Sequence, residues 1–127
     1  MPKIKVKTSL IEHHKITPTI KFECRGTIKD NCLTYHEKDL VVTLIYEKKV
    51  ATLIREDANY KLNLLFEEEK RTAGSYLLKE ENLVLPIEIK TNKLEINEDK
   101  ILIDYQINVD DGLTNYFTFI LTYEVIK

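Results

Sequence analysis

Apolar and polar residues alternate with a period of two along much of this chain. The pattern occupies five segments: 3–10, 20–29, 83–89, 101–109 and 117–125. Successive side chains of a β-strand point to opposite faces, so this period predicts strands with one buried face. The apolar positions are rich in β-branched and aromatic residues, which suit a pleated surface. The alternation therefore predicts an all-β fold.

Short polar breaks interrupt the alternation at roughly even intervals. The breaks lie at 12–15, 30–31, 37–39, 47–49, 56–59, 67–70, 79–82, 97–100 and 110–112. Short strands at such spacing are typical of a sandwich or a barrel. A sheet of this size with so little helix is expected to close on itself to protect its edges, which predicts an antiparallel up-and-down barrel of about eight to ten strands. No linker or repeat divides the chain, so residues 1–127 are predicted to form a single domain.

Three local features qualify this pattern. The segment 60–70 fits a strand and also a helix, and the even spacing of the breaks favours the strand. Gly112, after two aspartates, marks the clearest hairpin turn because glycine tolerates positive φ. Gly74 lies within a predicted strand and indicates a bulge or a sharp bend there.

The charge balance and the N-terminus limit the classes of partner. The net charge is −2 and the pI is about 5.9, whereas a nucleic-acid-binding module is expected to be basic, so no nucleic-acid partner is predicted. Lysines alternate with apolar residues over 3–7, which does not fit a signal peptide, and no apolar run approaches the length of a membrane span. With two cysteines and no secretion signal, we expect a soluble, cytoplasmic protein with no membrane partner.

The two cysteines are not expected to pair. If 30–31 is a two-residue hairpin turn, Cys32 lies opposite Lys29 and Cys24 lies opposite Glu37. The two sulfurs are then roughly 17 Å apart and on opposite faces, which excludes a disulfide. The same register turns His36 away from Cys24, so a Cys–His nucleophilic pair is not predicted, and Cys24 is interpreted as a small core residue.

No motif of metal or catalytic chemistry is present. His13 and His14 are adjacent in a predicted turn, whereas paired histidine ligands on a strand are expected two residues apart. The acidic runs at 67–69 and 80–81 are interpreted as solvated loop tips. Nucleophile-elbow, phosphate-loop and zinc-protease motifs are missing. We therefore predict no catalytic residue, no metal and no cofactor, and the sequence favours a protein that is not an enzyme.

Three residues are candidates for a ligand site. Arg55 follows the apolar run 50–54, which would place it at a barrel mouth, and Arg71 opens the segment 71–76. A guanidinium there could bind a carboxylate or a phosphate in a bidentate way, while an ordinary rim salt bridge is the simpler interpretation. Tyr76 combines an apolar ring with a hydroxyl, which suits either a pocket wall or a packed core.

Four segments also carry a family resemblance: Leu53-Ile54-Arg55, the alternating Leu62, Leu64 and Phe66, Arg71-Thr72-Ala73-Gly74-Ser75-Tyr76, and Leu85-Pro86-Ile87-Glu88-Ile89-Lys90-Thr91-Asn92-Lys93-Leu94. In order and spacing they resemble the YwiB-like family of uncharacterised bacterial proteins. The resemblance implies a calycin-like (lipocalin-type) β-barrel and no established activity. Within the last segment, Thr91 joins the candidate ligand-binding residues.

The sequence departs from that family at two turns and from true lipocalins at one signature. A glycine is expected just after Arg55 and another near 80–82, and neither is present. The lipocalin Gly-x-Trp signature is impossible in a chain without tryptophan. Transport in the manner of lipocalins is therefore only an analogy of fold.

The sequence is compatible with three functions. The first is a barrel that binds a small apolar or acidic-headed ligand, with Arg55 or Arg71 meeting the head. The second is a solidly packed barrel that serves as a protein-interaction or homodimeric module through Tyr116, Ile120 and Ile126, on the outer face of the last strand. The third is an unrecognised enzyme.

Overall fold

The computed structural model describes residues 2–13, 20–109 and 113–126, and strands account for most of them. The ten strands are β1 (Lys3–Glu12), β2 (Ile20–Lys29), β3 (Cys32–Glu37), β4 (Leu40–Glu47), β5 (Val50–Glu56), β6 (Tyr60–Glu67), β7 (Arg71–Leu78), β8 (Leu83–Ile96), β9 (Lys100–Val109) and β10 (Leu113–Val125). The described part of the chain contains no helix, and hence none that could cross a membrane. The segment that fitted both a strand and a helix is strand β6.

The ten strands form one closed antiparallel barrel. Each strand pairs with its neighbours in sequence, and β1 closes the barrel by pairing with β10 from Ile4–Val125 to Glu12–Phe117. The predicted all-β antiparallel barrel is therefore confirmed. The predicted turn at 110–112, with Gly112, and residues 14–15 of the first break lie outside the described residues.

Alternate residues of each strand face the barrel interior, as the period of two predicts. The fully buried side chains that fill most of the interior are Tyr35, Phe66, Ile4, Leu33, Leu44, Leu64, Ile89, Ile101, Ile103, Leu121, Val6 and Val42. Burying a large apolar side chain contributes about 1.5–3 kcal/mol, so this layer is the main source of stability. Cys24 and Cys32 are both free, which agrees with the register predicted from the 30–31 turn.

Non-glycine residues in left-handed conformations make several of the turns. Asp30 and Asn31 both have positive φ, 47° and 61°, which matches a type I′ hairpin turn. Asn82 has φ 51° in the turn before β8, where the resemblance described above predicts a glycine. Asparagine tolerates this conformation better than most residues, so the turn forms without glycine.

The barrel departs from regular pairing at β7 and β8. The regular β6–β7 pairing ends at Asn63–Ser75, and at Gly74 an added Cβ would lie 2.5 Å from the Asn63 carbonyl oxygen. Glycine is thus needed for a close approach at the point where this pairing stops. The register shift itself lies on β8, between Thr91 and Lys93.

Candidate functional site

A part-buried ion pair lies inside the barrel, at the end where β1, β3 and β5 finish. Glu37 is the last residue of β3 and Arg55 is the penultimate residue of β5. Both continue the inward alternation of their strands, since Glu37 follows Leu33 and Tyr35 while Arg55 follows Ala51 and Leu53. Arg55 Nη2 donates a hydrogen bond of 3.0 Å to Glu37 Oε2. Their side chains are 24% and 5% exposed, so this contact is shielded from most solvent.

A cavity of about 190 Å³ lies against this ion pair. It is lined by Thr8, Leu10, Phe22, Glu37, Arg55 and Phe119. Three of these are large apolar residues, and the two charges stand together in the same wall. A small apolar pocket with a few polar groups at one point is the usual form of a ligand site.

Two tyrosines extend the polar part of the interior beyond the ion pair. Tyr35 is fully buried, and its hydroxyl has no hydrogen-bond partner among the described residues. Burial raises the pKa of Tyr35, the charge of Glu37 raises it further, and Arg55 opposes this in part. Burial also raises the pKa of Tyr105, which the charge of Arg55 likewise opposes. Both phenols are therefore neutral hydrogen-bonding groups around neutral pH.

Cys24 faces the same part of the interior, but its thiol is not activated as a nucleophile. It lies on β2 and faces inward beside Val6. Burial raises the pKa of its thiol, and the nearby carboxylates Glu37 and Glu23 raise it further. A thiol reacts as the thiolate, so this environment suppresses its nucleophilicity.

The structure separates the four candidate residues. Arg55 lines the cavity. Tyr76 faces inward two strands away and stacks on Tyr60, with ring centroids 5.5 Å apart. Thr91 is fully buried opposite Tyr105, and its hydroxyl has no partner within the described ranges. Neither of these two lines the cavity at Arg55.

Arg71 lies on the outer surface instead. Its side chain is 68% exposed and pairs with Glu88, which is 52% exposed. The structure therefore does not bring Arg71 together with Arg55. The two arginines nevertheless form a useful comparison, because each is paired with one glutamate, inside and outside the barrel.

The important residue missed by sequence analysis is Glu37. It was grouped with the polar break 37–39, whereas it is 7% exposed and faces the interior. The signal that could have identified it is the phase of β3, because Leu33 and Tyr35 occupy the same face. The predicted register that placed Cys24 opposite Glu37 also implied an inward Glu37.

Two further features lie on the outer surface of the barrel, a groove and an exposed histidine. A shallow groove of about 390 Å³ runs beside Ile120 and is lined by Lys7, Thr8, Ser9, Lys21, Phe22, Glu23, Ile120 and Thr122. The exposed His13 shares a hydrogen bond of 2.9 Å with the Thr118 hydroxyl, while His14 lies outside the described residues. Within 2–13, 20–109 and 113–126, no three histidine, cysteine or acidic side chains come together as metal ligands would.

Comparisons with known proteins place this barrel in a family. The family model named "Domain of unknown function (DUF1934)" matches residues 4–120, nearly the whole chain. The crystal structure of the ywiB protein from Bacillus subtilis aligns with a TM-score of 0.71 at 17% identity, over 99% of this chain and 93% of that one. No curated protein matches the chain significantly. The resemblance to YwiB-like proteins is thus confirmed, and the chain belongs to the DUF1934 family.

Proposed function

We propose that the barrel binds a small amphipathic molecule with an acidic head group. The observation that supports this most directly is the cavity against the Arg55–Glu37 pair. Arg55 would meet the acidic head, and the apolar part would lie against Leu10, Phe22 and Phe119. Calycin-type barrels offer an analogy, since small barrels of this kind can enclose one small ligand.

The guanidinium of Arg55 has hydrogen-bonding capacity to spare. An arginine carries five N–H donors in a planar fork. Among the described residues, its hydrogen-bonding partner is Glu37, through a single nitrogen. Donors that remain beside a cavity can bind two oxygens of a carboxylate, and shielding from solvent strengthens such a contact.

The size of the cavity limits the ligand. A volume of 190 Å³ corresponds to roughly six water molecules at about 30 Å³ each. Pockets for drug-sized molecules begin at about 300 Å³. A short- to medium-chain fatty acid or a small aromatic acid is therefore a better match than a long-chain lipid. Phe22 is 38% exposed, so an apolar ligand would also cover hydrophobic surface at this site.

Titration calorimetry with octanoate tests this proposal, with n-octylamine as the oppositely charged probe. We expect octanoate to bind once per chain and octylamine not to bind. Arg55→Gln should weaken octanoate at least about tenfold, since a charge-assisted hydrogen bond contributes about 1.5–3 kcal/mol. Arg71→Gln is the matched control and should bind as the unmodified protein does. Equal affinities in the two variants would contradict the proposal.

A second candidate function is association between copies of the chain through the outer face of β10. The groove beside Ile120 supports it, as does Ile126, which is 39% exposed and directly follows β10. Analytical ultracentrifugation over a range of concentrations would detect the dimer. Ile120→Lys should abolish association, and a chain that stays monomeric at high concentration would rule this function out.

A further inference from the structure

The charges beside the cavity are already balanced. Arg55 carries one positive charge, and Glu37 carries one negative charge at 3.0 Å from it. Glu12, the last residue of β1, is a further carboxylate at this end; it has an interaction of its own, and its charge raises the pKa of Tyr105. The described residues therefore leave no net positive charge here for an incoming anion.

The remaining ionisable groups that face the interior near this end do not change that balance. They are Cys24 on β2, Tyr35 on β3, Tyr60 on β6, Tyr76 on β7 and Tyr105 on β9. All are neutral when protonated. The inward neighbour of Glu37 on β4 is Leu40, and that of Arg55 is Val42, and both are apolar.

A carboxylate bound to Arg55 would come close to the carboxylate of Glu37. Two carboxylates that share a shielded site cannot both stay ionised, so one of them takes up a proton. The resulting pair has one negative charge, which the guanidinium balances. The O–H of the protonated partner then donates a hydrogen bond to the other carboxylate, which is a strong contact of its own.

We propose, resting on the function proposed above, that the barrel takes its acid together with one proton held between the ligand carboxyl group and Glu37. The ligand class follows from this charge count. A monocarboxylic acid enters as a neutral unit, whereas a phosphate monoester brings close to two negative charges at neutral pH. The site therefore selects monocarboxylic acids over phosphate monoesters of the same chain length.

Tyr35 supports this selection as a positioning residue. It lies two residues before Glu37 on the same face of β3, and the charges of both Glu37 and Arg55 act on it. Its buried hydroxyl lacks a partner in the described part of the chain. A neutral donor close to Glu37 can stabilise the shared proton without adding charge.

Calorimetry of octanoate binding in buffers with different ionisation enthalpies measures the proton directly. We expect about one proton to be taken up per octanoate, and the affinity to rise about tenfold for each unit by which the pH falls below neutral. Octyl phosphate should bind at least about tenfold more weakly than octanoate. Octanamide, which carries no charge, should bind with little dependence on pH.

The possible outcomes distinguish this inference from the proposed acid binding on which it rests. If octanoate binds without proton uptake and octyl phosphate binds as well, the proton and the selection are overturned while acid binding stands. If octanoate does not bind at any pH, acid binding itself fails, and the inference fails with it.

Glu37→Gln provides an independent measurement. This variant should bind octanoate without proton uptake, and at high pH it should bind more tightly than the unmodified protein, because Arg55 then lacks its counter-charge. Glu88→Gln is the matched control on the outer pair and should keep the proton uptake. Undiminished proton uptake in Glu37→Gln would overturn the role of Glu37. Should that variant fail to fold, the buffer series on the unmodified protein decides.

Discussion

The two arginine–glutamate pairs show how the surroundings of an ion pair change its contribution to stability. The pair of Arg71 and Glu88 lies in solvent, where ion pairs contribute about 0–1 kcal/mol. The pair of Arg55 and Glu37 lies inside the barrel, where removing water from two charges costs more than their attraction readily returns. An inner pair of this kind is a poor device for stability, which favours a role in binding.

Truncating one partner of each pair tests this difference. We expect Glu37→Leu to lower the free energy of unfolding by about 2–4 kcal/mol, because Arg55 is left shielded without a counter-charge. Glu88→Leu should change it by less than about 0.5 kcal/mol. Urea unfolding measures both. The double variant Arg55→Met with Glu37→Leu should recover much of the loss, and equal effects of the two single variants would show that the inner site is not shielded.

At the scale of the strands, a side chain from outside the β8–β9 hairpin stabilises the bulge in β8. Inward positions before the bulge are odd-numbered, as at Ile87 and Ile89, and those after it are even-numbered, as at Leu94. The amide of Leu94 donates a hydrogen bond of 3.3 Å to Glu68 Oε1, in the turn after β6. Glu68 was expected at a solvated loop tip, yet its side chain is only 25% exposed.

Removing that acceptor should weaken the barrel locally. We expect Glu68→Ala to lower the free energy of unfolding by about 1 kcal/mol, since the part-buried Leu94 amide loses its partner. The exposed neighbour Glu69 serves as the control, and Glu69→Ala should have a much smaller effect. Hydrogen exchange of the Leu94 amide should also quicken in Glu68→Ala alone. Unchanged exchange there would mean that the Glu68 contact does not protect the bulge.

The strands could be predicted from sequence because a period of two directly marks a buried face. The bulge could not, because polar Thr91 occupies the last inward position before it and hides the change of phase. Arg55 was predicted at the barrel mouth from the apolar run before it. The outward orientation of Arg71 was harder to predict. The first inward residues of its strand are Thr72 and Gly74, which are not apolar and so do not show which face of the strand is buried. Glu37 was missed because an acid at a strand end resembles a loop residue.

At the scale of the whole molecule, buried tyrosine hydroxyls make the stability of the barrel depend on pH in the alkaline range. Burial raises the pKa of Tyr46 to about 12, with a further contribution from Tyr123, and raises that of Tyr35 and Tyr105 as well. Ordinary tyrosines release their proton near about pH 10. Above that pH the unfolded chain holds fewer protons than the folded one, so stability falls as the pH rises.

Urea unfolding as a function of pH checks this link. We expect the midpoint to stay constant up to about pH 9 and to fall steadily between about pH 10 and 12, because the stability is fully present below the unfolded-state pKa. Tyrosinate absorbance should show a group of tyrosines that ionise together with unfolding. Tyr105→Phe should reduce the slope. A midpoint that does not change up to pH 12 would contradict the burial of these phenols.

The pairing of β1 with β10 also has a consequence for the chain as it is synthesised. Nine of the strand pairings join neighbours in sequence and can form while the nascent chain lengthens, but the tenth joins residues as far apart as Ile4 and Val125. Until β10 leaves the ribosome, β1 is an open edge to which another nascent chain could add. Lys3, Lys5 and Lys7 lie along that edge, and their charges oppose such additions during the interval before closure.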